Sequence, residues 1–134
     1  MKITGLDHYN VRVPKAFLES LCRFYVEVLN LHVGPRPPFR SSGYWLYAGD
    51  QPLLHLTGFE SQVADVIEPR ATGWFSHIAF RCEDLTATTA RLGKLGVEYE
   101  MDTVPALGQT QLFFTDPAGI GVELNFAGGI SDDE

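Results

Sequence analysis

Residues 5–13 read "GLDHYNVRV", and residues 74–82 read "WFSHIAFRC". Each is a strand-like run with one histidine near its start. In the first, Tyr9, Val11 and Val13 fall on one face and His8, Asn10 and Arg12 on the other, the period of a half-buried strand. His8 and His77 are 69 positions apart, and His55 and Glu123 are 68 apart. Within each half the spacing also agrees: 47 positions from His8 to His55, and 46 from His77 to Glu123. Three of the four histidines therefore lie on one repeating lattice, and the chain reads as two copies of one module.

The same elements follow each run. Pro14 stops the first strand and suits the opening turn of a helix. Leu18, Leu21, Cys22, Tyr25, Val28 and Leu29 then recur at helical spacing, an apolar stripe for one face. "LHVG" is a short strand leading into a proline-rich loop. "GYWLYAG" and "PLLHLTG" are two further strands around the turn signal Gly49-Asp50. In the second half, Asp84 is a helix N-cap before "LTATTARLGKLG", and Gly96 closes that helix. The strands "VEYEMD", "QTQLFFTD" and "IGVELNF" complete it, the last two joined by the turn "DPAG".

The expected fold is thus α+β: two tandem βαβββ modules whose sheets curve into a cup, a partly closed barrel. Module one covers residues 4–58, a linker 59–73, with a short helix around "SQVADVI", and module two 74–127. Residues 128–134 form a flexible acidic tail, and the whole of 1–134 counts as a single domain.

Bulk properties narrow the function. The chain has 134 residues, 45% of them hydrophobic, and a net charge of −7. An acidic surface repels nucleic acid and anionic membrane, so neither is an expected partner. Cys22 and Cys82 have no metal-type spacing and read as reduced thiols. No apolar run is long enough to span a membrane. The N-terminal "MKITGLDHYN" turns polar too soon for a signal peptide, and a cytoplasmic location is expected.

On "LDHYNVRV", "FYVEVLNL", "HIAFRCEDL", "LGKLGVEYE" and "FFTDPAGIGVELNF", the chain resembles the vicinal oxygen chelate superfamily of glyoxalases, bleomycin-resistance proteins and extradiol dioxygenases. The resemblance runs from Leu6 to Phe126. It implies one divalent metal ion per cup (Zn, Ni, Co, Mn or Fe(II)), held at the positions of His8, His77 and Glu123. A fourth ligand often comes from the last strand of the first module, here His55. Glyoxalase-type members usually carry a carboxylate there, so a histidine is a departure. The resemblance also implies a homodimer, with each cup built within one chain or from exchanged modules.

Imidazole and carboxylate are apt ligands for a first-row divalent ion, and a metal satisfies inward polar groups that would otherwise be costly to bury. His55 reads either as a ligand or as an acid–base group, and Glu123 or His55 as the catalytic base. Arg12 and Arg81, each four residues past a lattice histidine, either pair with carboxylates on the cup floor or recognise an anionic substrate. Trp45, Tyr47 and Phe113 supply aromatic area for a substrate pocket, and Phe39, Tyr44 and the loop "GPRPPFRSSG" form a candidate lid. His32 lies off the lattice and reads as a half-exposed strand residue.

The expected substrate is a small molecule with two vicinal oxygens. An octahedral ion with four protein ligands keeps two positions open, which suits a hydroxy-carbonyl compound and lyase or isomerase chemistry through a stabilised enediolate. With three protein ligands, three stay open, enough for a catechol and dioxygen, the extradiol ring-cleaving reaction with Fe(II). A metal-free cup that only binds drugs, as in bleomycin resistance, is the remaining alternative.

Overall fold

In the computed structural model, which describes residues 1–60 and 75–127, the alternation around His8 becomes β1 (Tyr9–Pro14). Its Val11 and Val13 are buried, while Asn10 and Arg12 face outward. Pro14 ends the strand and is the residue that precedes helix α1 (Lys15–Glu27). The stripe read from the sequence buries Leu18, Leu21, Cys22 and Tyr25. Val28 and Leu29 fall beyond the helix and are only half-buried. β2 (His32–Gly34), β3 (Ser42–Ala48) and β4 (Gln51–Phe59) follow. The second half gives β5 (His77–Cys82), α2 (Leu85–Lys94), β6 (Glu100–Val104), a single 3-10 turn (Pro105–Leu107), β7 (Gln109–Thr115) and β8 (Gly121–Ala127).

The chain divides into two compact units, Met1–Glu68 and Pro69–Glu134. Each described unit is βαβββ with a four-stranded mixed sheet, ordered β1-β4-β3-β2 in the first and β5-β8-β7-β6 in the second. In both, the first and last strands pair in parallel and the other neighbours are antiparallel. Neither sheet closes on itself. The linker with its short helix and the acidic tail lie outside the described residues, apart from Phe59 and Glu60, as does Trp74.

Burial follows the alternation. In the first unit Leu21, Tyr25, Leu46, Leu54 and Leu56 are fully buried. Each such side chain stabilises the fold by roughly 1.5–3 kcal/mol relative to exposure. Consequently the even-numbered residues of β3 and β4 make the core, and Trp45, His55 and Thr57 are turned to the opposite face. In the second unit Leu112, Phe114, Val122, Leu124 and Phe126 play the same part, while Gln111 and Phe113 share the other face with Asn125.

Three strand starts fall later than the sequence reading. β1 starts at Tyr9 and leaves His8 just outside it, β5 starts at His77 rather than Trp74, and β6 starts three residues later than "VEYEMD". The shift of β6 has a local cause. Gly96 takes φ +73°, its amide donates to Gly93 O, and the Val97 amide donates to Leu92 O at 2.9 Å. This paired C-terminal cap ties Val97 to the helix end and delays the extended chain. "TVPALG" is accordingly not all loop, since Thr103 and Val104 complete β6. Among the described residues, no helix is long and apolar enough to cross a membrane.

Candidate metal and substrate site

Strand register explains why the lattice spacing repeats. In the first unit His55 stands directly opposite Asn10 on β1 and Trp45 on β3. In the second, Glu123 stands opposite Ala79 on β5 and Phe113 on β7. His55 and Glu123 are thus equivalent, as are Trp45 and Phe113.

In the first unit the His55 ring is sandwiched. Trp45 stacks on one side with centroids 4.0 Å apart and planes 6° from parallel. His8, one residue before β1, stacks on His55 at 3.8 Å and 15°. His8 Nδ1 lies 2.7 Å from Asp7 Oδ1. A carboxylate only accepts, so Nδ1 carries the proton, and in the neutral ring Nε2 keeps its lone pair. His55 Nε2 lies 3.1 Å from the Pro52 carbonyl and donates to it, which leaves the His55 lone pair on Nδ1. Burial, and then the nearby His8, push the His55 pKa down, against a smaller opposing effect of the Pro52 carbonyl. The neutral ring is therefore favoured.

A ring nitrogen bonds a metal in the plane of its own ring, along the lone pair. Two rings 3.8 Å apart and inclined by only 15° have planes that meet far beyond bonding reach. As stacked, His8 and His55 do not offer lone pairs to one ion.

In the second unit His77 Nε2 lies 3.1 Å from Glu123 Oε1. The pair is asymmetric in exposure: the Glu123 side chain is 10% exposed and that of His77 45%. Gln111 Nε2 donates to the other carboxylate oxygen, Oε2, at 3.0 Å. Ser76 Oγ meets His77 Nδ1 at 2.9 Å. His77 is not directly opposite Glu123 but opposite Gly121. A Cβ at Gly121 would lie 2.9 Å from His77 Cβ and 2.7 Å from the Ser76 carbonyl oxygen, so the bare glycine keeps this approach clear. Within neither unit do three or more described His, Cys, Asp or Glu side chains gather to hold a metal ion. The donors instead come in two pairs, His8 with His55 and His77 with Glu123. Nitrogen and oxygen donors of this kind suit a divalent ion, and His77 and Glu123, 3.1 Å apart, are the pair in the second unit that would hold one.

The other expected site residues divide. Trp45 lies beside His55 on the first sheet and Phe113 beside Glu123 on the second. Arg12 stacks over the Phe59 ring at 4.7 Å, and Arg81, opposite Asn125, is exposed. Among the described residues neither arginine pairs with a carboxylate. Tyr47 turns toward the sheet edge, where its hydroxyl donates to the Pro35 carbonyl at 2.6 Å and its ring packs on exposed His32. The proline-rich loop is anchored: Phe39 leans on Trp45, and Arg36 covers Phe39 and donates to Ser41 Oγ. Tyr44 lies on the core side and donates to Glu19.

Sequence reasoning missed Gln111 and gave Gly121 no role. Both carried a signal, because each sits two residues before a residue already singled out, Phe113 and Glu123, and so shares its strand face.

Residues 5–124 match the model of the Glyoxalase/Bleomycin resistance protein/Dioxygenase superfamily, and the chain belongs to that superfamily. Glyoxylase I 4 of Arabidopsis thaliana is 28% identical over 130 residues, covering 92% of this chain and 71% of that protein. Among solved structures, one described as a glyoxalase family protein from Bacillus anthracis superposes with a TM-score of 0.72 at 25% identity, over 95% of this chain and 98% of that one. A glyoxylase/bleomycin resistance protein/dioxygenase domain from Frankia sp. EAN1pec gives 0.71 at 22% identity, over 94% and 99%, and shares the fold. Members of the superfamily commonly use a divalent metal.

Proposed function

We propose that the protein is a divalent-metal-dependent enzyme that binds a small substrate through two adjacent oxygens and moves a proton on it, as a lyase or isomerase. The observation that carries this is the His77–Glu123 pair, a buried carboxylate held at 3.1 Å from an imidazole nitrogen. His8, just before the first strand, is the equivalent residue of the other unit, with Nδ1 tied to Asp7 and the Nε2 lone pair left free for a cation. In the second unit His77 and Glu123 are the proposed ligands, and in the first unit His8. When bound, the ion supplies Lewis acidity toward the paired oxygens.

His55 takes the proton-transfer role rather than a place among the ligands. Its ring is fixed between Trp45 and His8, its Nε2 proton is committed to Pro52, and its lowered pKa leaves Nδ1 as a neutral base. A base held in one tautomer by its second nitrogen needs no rearrangement at the moment of transfer. Trp45 beside His55 and Phe113 beside Glu123 supply apolar surface, each within its own unit, and Arg81 offers charge to an anionic substituent.

The stack also supports a second reading. With His55 outside the ligand set, two histidines and one carboxylate remain, the set associated with non-haem Fe(II) oxygenases. Turnover assays separate the two. Anaerobic conversion of an α-hydroxy-carbonyl compound supports proton transfer, and oxygen uptake matched to ring-cleaved product from a catechol overturns it in favour of the dioxygenase. Binding of an antibiotic by metal-free protein, with turnover of neither class, would instead indicate a binding protein.

A further inference from the structure

We infer that Gln111 is the positioning residue for Glu123: it fixes which carboxylate oxygen is presented beside His77. The inference rests on the reading that His77 and Glu123 belong to the metal-ligand set. A glutamate on a strand face has several rotatable torsions and, unanchored, turns its carboxylate freely. Here Oε2 accepts from Gln111 Nε2 at 3.0 Å, and Oε1 is left facing His77 Nε2 at 3.1 Å. The contact follows from register. On antiparallel β7 and β8, Phe113 is directly opposite Glu123 and Gln111 opposite Asn125, so Gln111 reaches Glu123 along the diagonal. The donor is a neutral amide. It orients the carboxylate without neutralising it, as an arginine or lysine would, and the negative charge stays available to a cation. The first unit lacks this support. There Trp45 is opposite His55, and the residue two before it, Gly43, has no side chain. The anchor exists only in the half that carries the carboxylate.

The test uses the full-length protein loaded with Co(II), comparing wild type with Gln111→Met, which keeps length and loses the donor. Gln111→Ser, polar but too short to reach, is the second variant should the first fold poorly. Calorimetry reads affinity, and the visible Co(II) spectrum at saturation reads ligand geometry. The expected result is a roughly 10- to 100-fold weaker affinity and shifted bands, the usual cost of removing a group that orients a metal ligand. Equal affinity with superimposable spectra overturns the positioning role and leaves the metal reading intact. Absence of Co(II) binding by the wild type overturns the ligand set itself, and this inference with it.

Discussion

Gly121 stands directly opposite His77 across β5 and β8, and the space its missing side chain leaves is bounded by His77 Cβ and the Ser76 carbonyl. A backbone oxygen 2.7 Å from a new Cβ cannot swing aside. Gly121→Ala therefore forces the two parallel strands apart just where His77 approaches Glu123. Such overpacking costs about 1–3 kcal/mol. The variant should show a lower denaturation midpoint together with weakened metal affinity. Unchanged values of both would contradict the close-approach account.

His55 separates ligand from base. His55→Ala should leave metal affinity within a few-fold of wild type and lower turnover by roughly 10²- to 10⁴-fold, the span typical of a lost general base. Calorimetric titration and steady-state kinetics on the same preparation read both quantities. Loss of metal with the ring would place His55 among the ligands.

Tyr44 carries a pH signature that belongs to the fold. Its hydrogen bond to Glu19, reinforced by partial burial and the Glu19 charge, raises its pKa from 10.0 to about 12. The raised value means that the folded state holds the phenolic proton more tightly than the unfolded chain. The stabilisation is complete below pH 10 and disappears as pH rises toward about 12. Denaturant titrations across that window should show wild type losing stability faster than Tyr44→Phe. Parallel pH curves for the two proteins would remove Glu19 as the cause.

Asp84 caps α2 from an unusual backbone position. Its side chain accepts from the Ala87 amide at 3.0 Å, while its own φ is +70°. Asp84→Ala loses the cap and leaves a Cβ residue at positive φ, so it should cost about 1–2 kcal/mol. Asp84→Gly keeps the conformation at low strain and should cost less. A glycine variant less stable than the alanine one would refute this ordering.

The sequence carried most of the architecture because strand alternation and the 47- and 46-residue spacings, His8 to His55 and His77 to Glu123, are direct consequences of pairing register. Val11 and Val13 follow the same alternation, and the α1 stripe follows helical periodicity. Local hydrogen bonding was less legible. The double cap at Gly96 and Val97 moved β6, and no hydropathy pattern encodes it. The lattice also located His55 without fixing its role. That role depends on ring planes and on Pro52, three residues away on the same strand, and strand periodicity says nothing of either. For Tyr47, alternation gives the face but not the lean of its long side chain toward the edge strand.

The proposed function stands on the assignment of His77 and Glu123 as ligands of a divalent ion. Elemental analysis of the protein purified without chelator, alongside His77→Ala of equal helix and strand content, tests that assignment. Close to one divalent ion per chain is expected in the wild type, with a large loss in the variant. Stoichiometric metal retained by His77→Ala, or no measurable divalent-metal affinity in the wild type, would contradict it.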